Sequence, residues 1–343
     1  MFNEAEIQLM IAMLELLKPV ETPNNNGYEF YPKDLQQASR YFRGFLTDWS
    51  GAYASLLEKG VLGYENSRFY LTGDGIGSAD KLRRERPPIW YWYKDYYLKT
   101  AESKAHARYC EMLFGLNLCQ DGFSDMQQIM GMLEIAKVNP GDQILDLGCG
   151  SGMISEYISD VTGAQMYGID YIPDAIEQAE RRTSPKKDRL EFRVGNLDHL
   201  DFPDSFFDLI ISIDTLYMPE SLDSTVRQIK RILKPEGALA AFYSQFLWDN
   251  NAPRELLKSE NTDLARSLIK SGFTYKAYDL SKENFDLMQR KRQVAEQLAE
   301  DYRQEGNAFL YENIREQSLD GNASYDPDSF NISRYLYFTT GTS

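Results

Sequence analysis

Histidine is nearly missing from this 343-residue chain, which has two, His106 and His199. Both read as packing or surface residues, so chemistry built on an imidazole base is not expected. Cysteine is scarce as well: three in a long chain do not make a disulfide framework. No apolar run approaches the roughly 20 residues of a membrane helix. No signal-peptide pattern precedes the first helix, and a cytoplasmic protein without a membrane partner is expected. Basic charge is also short, 37 Lys and Arg against 52 Asp and Glu, for a net charge of −15. That balance argues against a nucleic-acid partner, because phosphate backbones are held by clustered cations. The two basic clusters, Lys81-Leu82-Arg83-Arg84 and Arg290-Lys291-Arg292, are short, flanked by acids, and read as solvated helix faces.

The dinucleotide spacing G-x-G-x-x-G is missing too. In its place stands Ile144-Leu145-Asp146-Leu147-Gly148-Cys149-Gly150-Ser151-Gly152, followed after one helix by Tyr167-Gly168-Ile169-Asp170. A strand enters a glycine turn that lets the backbone approach a ligand, and an acid ending the next strand can accept both ribose hydroxyls. Asp146, ahead of the first glycine, would repel a pyrophosphate but suits an ammonium. Adenosine, ammonium and carboxylate together describe S-adenosyl-L-methionine. Cys149, inside the loop, reads as a small packing residue.

This stretch resembles the first motif of class I methyltransferases, and further elements follow on that family's schedule. Leu190–Val194 is a short strand, and Gly195-Asn196-Leu197-Asp198 stands where the family places residues around the adenine. Phe207–Asp214 is a nearly continuous apolar run, as in a parallel strand buried on both faces, with Asp214 at its C-terminal end. A helix over Val226–Leu233 stops at Lys234-Pro235-Glu236-Gly237, and Gly237–Tyr243 is another buried strand. Ser271-Gly272-Phe273 opens the next, and Arg334–Thr340 has the alternation of a last, antiparallel one. The resemblance implies an α/β, Rossmann-like sheet of seven strands. It assigns cofactor contacts to Asp146, Gly148, Cys149, Gly150, Asp170, Tyr171, Asn196, Leu197 and Asp214.

Ahead of this core, helices are expected over Glu4–Leu17, Asp34–Phe45 and Trp49–Lys59, with a loop at Asn24-Asn25-Asn26-Gly27. A hairpin of Gly60–Tyr64 and Arg68–Thr72 turns at Glu65-Asn66-Ser67. The order resembles a winged helix. The candidate recognition helix offers Lys59 beside Glu58, a poor phosphate reader, so homodimer formation or a lid role is favoured over DNA binding. Arg86-Pro87-Pro88 marks a linker, and the aromatic stretch from Ile89 to Tyr97 begins a helix running towards Phe114; its rings read mainly as packing. The expected domains are therefore 1–86, winged-helix-like; 87–125, linker and lid helix; and 126–343, with a helical cap at about 281–320.

Ala107-Arg108-Tyr109-Cys110-Glu111-Met112-Leu113-Phe114-Gly115, then Gln120-Asp121-Gly122-Phe123-Ser124, resembles the pre-core element of phosphoethanolamine and sarcosine-type N-methyltransferases. That resemblance puts Tyr109 beside the cofactor and its reacting methyl group, and matches Tyr243 to a second active-site tyrosine. Asp214-Thr215-Leu216-Tyr217-Met218 lacks the histidine of the phosphobase enzymes, and their phosphate-holding lysine and tyrosine set is not found, which argues against phosphoethanolamine as substrate. With histidine scarce, Tyr109, Tyr217, Tyr243 and Asp214 are the candidates for orienting an acceptor. No second acid accompanies Asp214 on the following strand, so no metal is expected. The leading expectation is methyl transfer to the nitrogen of a small molecule. An O-methyltransferase of a secondary metabolite follows, and a winged-helix regulator that senses S-adenosylmethionine trails both.

Overall fold

The computed structural model describes residues 1–16, 48–65, 68–249, 252–321 and 323–342. The expected helix over Asp34–Phe45, the Asn24–Gly27 loop and the turn residues Asn66 and Ser67 lie outside them. The chain forms two compact units, Met1–Tyr96 and Tyr97–Ser343.

In the first unit, helix α1 (Glu4–Leu16) opens with a reciprocal capping pair. Asn3 Oδ1 accepts the Glu6 N–H at 3.0 Å, and Glu6 Oε2 accepts the Asn3 N–H at 2.8 Å. Its apolar run Leu9–Leu14 is buried with Trp49, Tyr53 and Leu56 from the region of α2 (Ser50–Glu58). Strands β1 (Leu62–Glu65) and β2 (Arg68–Leu71) pair antiparallel, and α3 (Gly73–Glu85) follows, capped by Thr72. Lys59, the cation closing α2, is 2.6 Å from Glu6 Oε1. Lys81 and Arg84 are exposed, as expected of a solvated helix face, and Arg84 pairs with Asp80.

The aromatic stretch lies on α4 (Pro88–Thr100), within which the unit boundary falls. Trp90, Tyr91 and Tyr96 are buried, and Trp92 stacks on Tyr96 with ring centroids 5.2 Å apart. The single helix expected to continue to Phe114 is instead two. Ser103 starts α5 (Lys104–Phe114) by accepting the His106 N–H, while Glu305 accepts from Ser103 Oγ and the Ala105 N–H, so the side chains there favour a fresh helix start.

The second unit holds a seven-stranded sheet. Helix α6 (Met126–Ala136) leads into β3 (Gln143–Leu147), α7 (Met153–Thr162), β4 (Gln165–Asp170), α8 (Pro173–Arg182), β5 (Leu190–Val194) and β6 (Phe207–Ile213). There follow α9 (Leu222–Ile232), β7 (Leu233–Phe246), α10 (Asp263–Lys270), β8 (Phe273–Asp279), α11 (Ser281–Gln304), α12 (Ala308–Glu316) and β9 (Ile332–Thr342). The spatial order is β5-β4-β3-β6-β7-β9-β8, parallel except for β9, which runs antiparallel to both neighbours. The apolar strands alternate between the faces: Leu145, Leu147 and Ile210 enter one core, Ile144, Leu209 and Ile211 the other. Helix α9 starts four residues before the expected Val226 because Ser221 caps it. The stretch expected as a cap forms two helices, α11 and α12, between β8 and β9.

Chain order reverses between β3 and β6. Ligands in open α/β sheets bind outside the C-terminal ends of the strands at such a switch point, which is where the glycine loop and Asp214 both lie.

Candidate cofactor and acceptor site

The loop after β3 is built by glycines that its backbone requires. Gly148, Gly150 and Gly152 have φ of 76°, 54° and 71°, the left-handed region that other residues enter at a cost. The space is closed as well: a Cβ on Gly148 would lie 2.5 Å from Thr215 Cγ2, and one on Gly150 would meet the Tyr97 hydroxyl. The Gly148 and Cys149 N–H groups both donate to Ile169 O at 2.9 Å, folding the loop onto the end of β4.

Asp170, ending β4, is the hub of this loop. Its Oδ2 accepts the Gly150 N–H at 3.0 Å and its Oδ1 the Ile172 N–H at 2.9 Å. Burial pushes its carboxyl up to about 6. Asp146 is also buried, accepts from Ser155 Oγ at 2.6 Å, and is pushed by burial up to about 7. Two buried carboxyls thus flank a loop of left-handed glycines. The set fits an adenosine ribose and an ammonium, as S-adenosylmethionine presents them. Cys149 is partly buried, and its thiol is pushed well up by burial, as suits a packing residue. Tyr171 follows Asp170 and is half-buried. Beyond β5, the Gly195 N–H donates to Asp170 O at 2.9 Å, so Asn196 and Leu197 leave from the same edge. Asn196 is exposed and bridges to His199, while Thr225 Oγ1 donates to Leu197 O at 3.0 Å.

Asp214 is engaged by protein groups on both carboxylate oxygens. Its φ is 61°, and both carboxylate oxygens are held by Arg334, a fully buried residue of β9 that also donates to Ser244 Oγ at 3.0 Å and Ser124 Oγ at 2.6 Å. Asp214 Oδ2 further accepts the Phe123 N–H at 3.0 Å. A carboxylate so engaged holds the pre-core loop in place.

The tyrosines separate into two groups. Tyr217 is exposed and its ring stands 5.9 Å from that of buried Tyr243, whose hydroxyl is pushed up to about 12 by burial. Tyr109 is buried on α5 and its hydroxyl has no partner among the described residues. Its pKa is driven well above the usual value by burial, with Cys110, Tyr302 and Asp121 adding to the shift, so the hydroxyl stays protonated. Asp121 accepts from Asn313 Nδ2 at 3.2 Å and is pushed by burial up to about 6. His106 is buried and driven down to about 3, hence neutral, and His199 is exposed. Among the described residues, no group of three or more His, Cys, Asp or Glu could hold a metal ion, and no helix is long and apolar enough to cross a membrane.

Residues 145–241 match the family described as "Methyltransferase domain". The chain carries a methyltransferase domain. Its relatives include a sterol 24-C-methyltransferase of Pneumocystis carinii, 34% identical over 122 residues, which are 34% of this chain and 32% of that protein. Another is phosphoethanolamine N-methyltransferase 1 of Zea mays, 28% identical over 174 residues, 47% of this chain and 34% of that one. The chain thus spans about a third of the length of these curated relatives. A solved phosphoethanolamine N-methyltransferase 2 of Haemonchus contortus superposes with a TM-score of 0.55 at 17% identity, covering 73% of this chain and 60% of that one. That likeness supports the class I methyltransferase fold. The matched segment of the methyltransferase domain runs from β3 into β7 and includes the glycine loop, Asp170 and Asp214.

Sequence reasoning missed several residues that organise this domain. Arg334 was visible only as part of an alternating strand; its charge on a buried strand was the available signal. The solvated-face reading of Arg290-Lys291-Arg292 holds for Arg290, which is exposed, and is overturned at Lys291. Lys291 is 1% exposed, Arg290 donates to Leu113 O at 2.9 Å, and Arg292 pairs with Asp320 at 2.9 Å. Helical spacing carried the signal, because position 291 follows Met288 by three and precedes Val294 and Ala295 by three and four on the buried stripe. Tyr97, among the aromatics that read as packing, has its hydroxyl against Gly150 of the loop.

Proposed function

We propose that this chain transfers the methyl group of S-adenosylmethionine to the nitrogen of a small-molecule acceptor. The observation that supports the cofactor is Asp170, a buried carboxyl at the end of β4 that holds the left-handed glycine loop through Gly150 and the start of α8 through Ile172. The cofactor, when bound, supplies an electrophilic methyl on a sulfonium, displaced in line without protonation of the leaving group. The protein's part is to orient the acceptor and keep water away, and such positioning supplies much of the acceleration. Nitrogen is favoured because the groups at hand are poor bases: Tyr109 and Tyr243 are pushed up, Asp214 is held by Arg334, and His106 is buried and neutral. A neutral amine needs only an acceptor for its proton after transfer. One observation favours an oxygen acceptor of the secondary-metabolite type instead. Asp121, with its carboxyl raised to about 6, could take the proton of a phenol.

Radiolabelled methyl transfer to a panel of small amines and a matched panel of phenols tests the reading. Label entering amines supports it, label confined to phenols selects the second reading, and wild type that does not bind S-adenosylhomocysteine removes both.

Cofactor binding also has an expected pH dependence. The free protein holds Asp146 near 7 and Asp170 near 6, raised by burial. A ligand ammonium and ribose hydroxyls favour the carboxylate forms, so both groups titrate lower in the complex than in the free protein. The contribution of these two groups therefore makes affinity rise with pH between about 5 and 7 and is complete above that, with protons released on binding below 7. Calorimetry in two buffers of different ionisation heat measures that release; identical heats at pH 6 would contradict it.

A further inference from the structure

The buried stripe of α11 reads Phe285, Met288, Lys291, Val294, Ala295 and Leu298, a lysine in the middle of apolar neighbours. Its Nζ donates to Gln317 Oε1 at 2.9 Å and Gly122 O at 3.3 Å, and stands 4.3 Å from the centre of the Phe123 ring. No carboxylate of the described residues forms an ion pair with it at 4.0 Å or less. An ammonium withdrawn from water without a direct counter-ion is costly even after relaxation. A methionine would fill the same stripe at no such cost. The amine is therefore to be explained by what it holds.

It holds one point of a segment secured at four. Asp121 accepts from Asn313 of α12, Gly122 O accepts from Lys291 of α11, the Phe123 N–H donates to Asp214 beyond β6, and Ser124 Oγ accepts from Arg334 of β9. Four consecutive residues outside any helix or strand are fixed by two inserted helices, strand β9 and the residue after β6. From there contacts run on to the glycine loop. Thr215, beside Asp214, donates from Oγ1 to Leu147 O at 2.6 Å, and its methyl closes the space beside Gly148. A Cβ on Gly122 would lie 2.6 Å from Asp214 Oδ2, so this contact allows little slack.

We propose that Lys291 is a positioning residue of the cofactor site, holding Gly122 and Phe123 against Asp214 so that the cap and the glycine loop are ordered together. The assignment rests on reading the glycine loop as the S-adenosylmethionine site. Lys291 touches neither the loop glycines nor Asp170; it acts through the 121–124 segment. Burial, and to a lesser degree Arg334 on β9, hold its ammonium down to about 8, against the opposing pull of Asp121 in that segment, Asp214 after β6 and Cys110 on α5. The charge on Lys291 is present below that pH and lost above it.

The test is titration of S-adenosylhomocysteine into wild type, Lys291→Met and Gln317→Leu from pH 6.5 to 9, with hydrogen exchange of the segment around 118–125 in the free proteins. Wild-type affinity should fall as pH rises through about 8. Lys291→Met should bind about tenfold more weakly at pH 7, without that fall, and lose exchange protection in the segment while β3 to β6 keep theirs. The ligand's own amine titrates identically in every protein, so the difference from wild type isolates Lys291. Gln317→Leu keeps the lysine but removes its amide acceptor, which should move the alkaline fall to lower pH. An unmoved profile there, unchanged binding by Lys291→Met, or protection lost evenly across the sheet would each overturn the assignment, the last by showing a general core role. Wild type that fails to bind S-adenosylhomocysteine would instead sink the cofactor reading, leaving the exchange data to show whether Lys291 orders the segment.

Discussion

Asp170→Ala should weaken S-adenosylhomocysteine binding by about 100-fold or more while the protein remains folded. Two losses combine. In the proposed complex the carboxylate meets the ribose hydroxyls, and hydrogen bonds to a charged group contribute roughly 1.5–3 kcal/mol each. In the free protein the same carboxylate accepts the Gly150 and Ile172 N–H groups, so its removal also loosens the left-handed turn that shapes the site. About 2.8 kcal/mol corresponds to 100-fold in affinity. Asp170→Asn, which keeps the shape but not the charge, should fall between wild type and the alanine variant. Isothermal titration at pH 7.5, above the raised Asp146 and Asp170 values, gives the comparison. A loss below about threefold for Asp170→Ala would mean that the ligand does not reach the end of β4.

The largest stability effect is expected at Arg334. Arg334→Met leaves Asp214 buried without its cation, and breaking one side of a buried ion pair costs about 3–5 kcal/mol. For a unit of this size the melting temperature falls by roughly 10 °C. The same substitution frees Ser124 and Ser244 of their shared donor, so the 121–124 segment should lose order before the sheet does. Asp214→Asn is the informative partner. At φ 61° asparagine is tolerated where alanine is strained, and its carbonyl still accepts the Phe123 N–H. The double variant Arg334→Met/Asp214→Asn should therefore recover a substantial part of the loss, since no buried charge is stranded. Thermal unfolding of both variants decides. A double variant no better than the single would mean that Arg334 acts mainly by filling space between β9 and the pre-core loop.

The elements legible in the sequence were those whose signal is local. The glycine loop announces itself because three left-handed positions admit little else. The parallel strands do so because burial on both faces demands a continuous apolar run, as in Phe207–Ile213. Two helices, Ser281–Gln304 and Ala308–Glu316, occupy the stretch at about 281–320 that reads as helical. The break between α4 and α5 was missed because its cause is distant in sequence: Glu305, some 200 positions on, accepts from Ser103 and Ala105. Lys291 was misread for a related reason. Beside Arg290 and Arg292 it looks like a solvated charge run, and only its phase against Met288 and Leu298 opposes that reading.

By itself the sequence determined the sheet, the switch-point loop and the acid that ends β4, because glycine conformation, strand burial and helix capping are properties of short segments. What Asp214 does was decided by tertiary structure alone. The strand register that brings Arg334 of β9 opposite Ser244 of β7 places a buried guanidinium on that carboxylate and ties it to the pre-core loop. The pairing of Lys291 with Gly122 arose in the same way. A buried charge takes its partner from whichever element the fold brings within hydrogen-bond reach, and that proximity is written in the packing of the cap on the sheet edge.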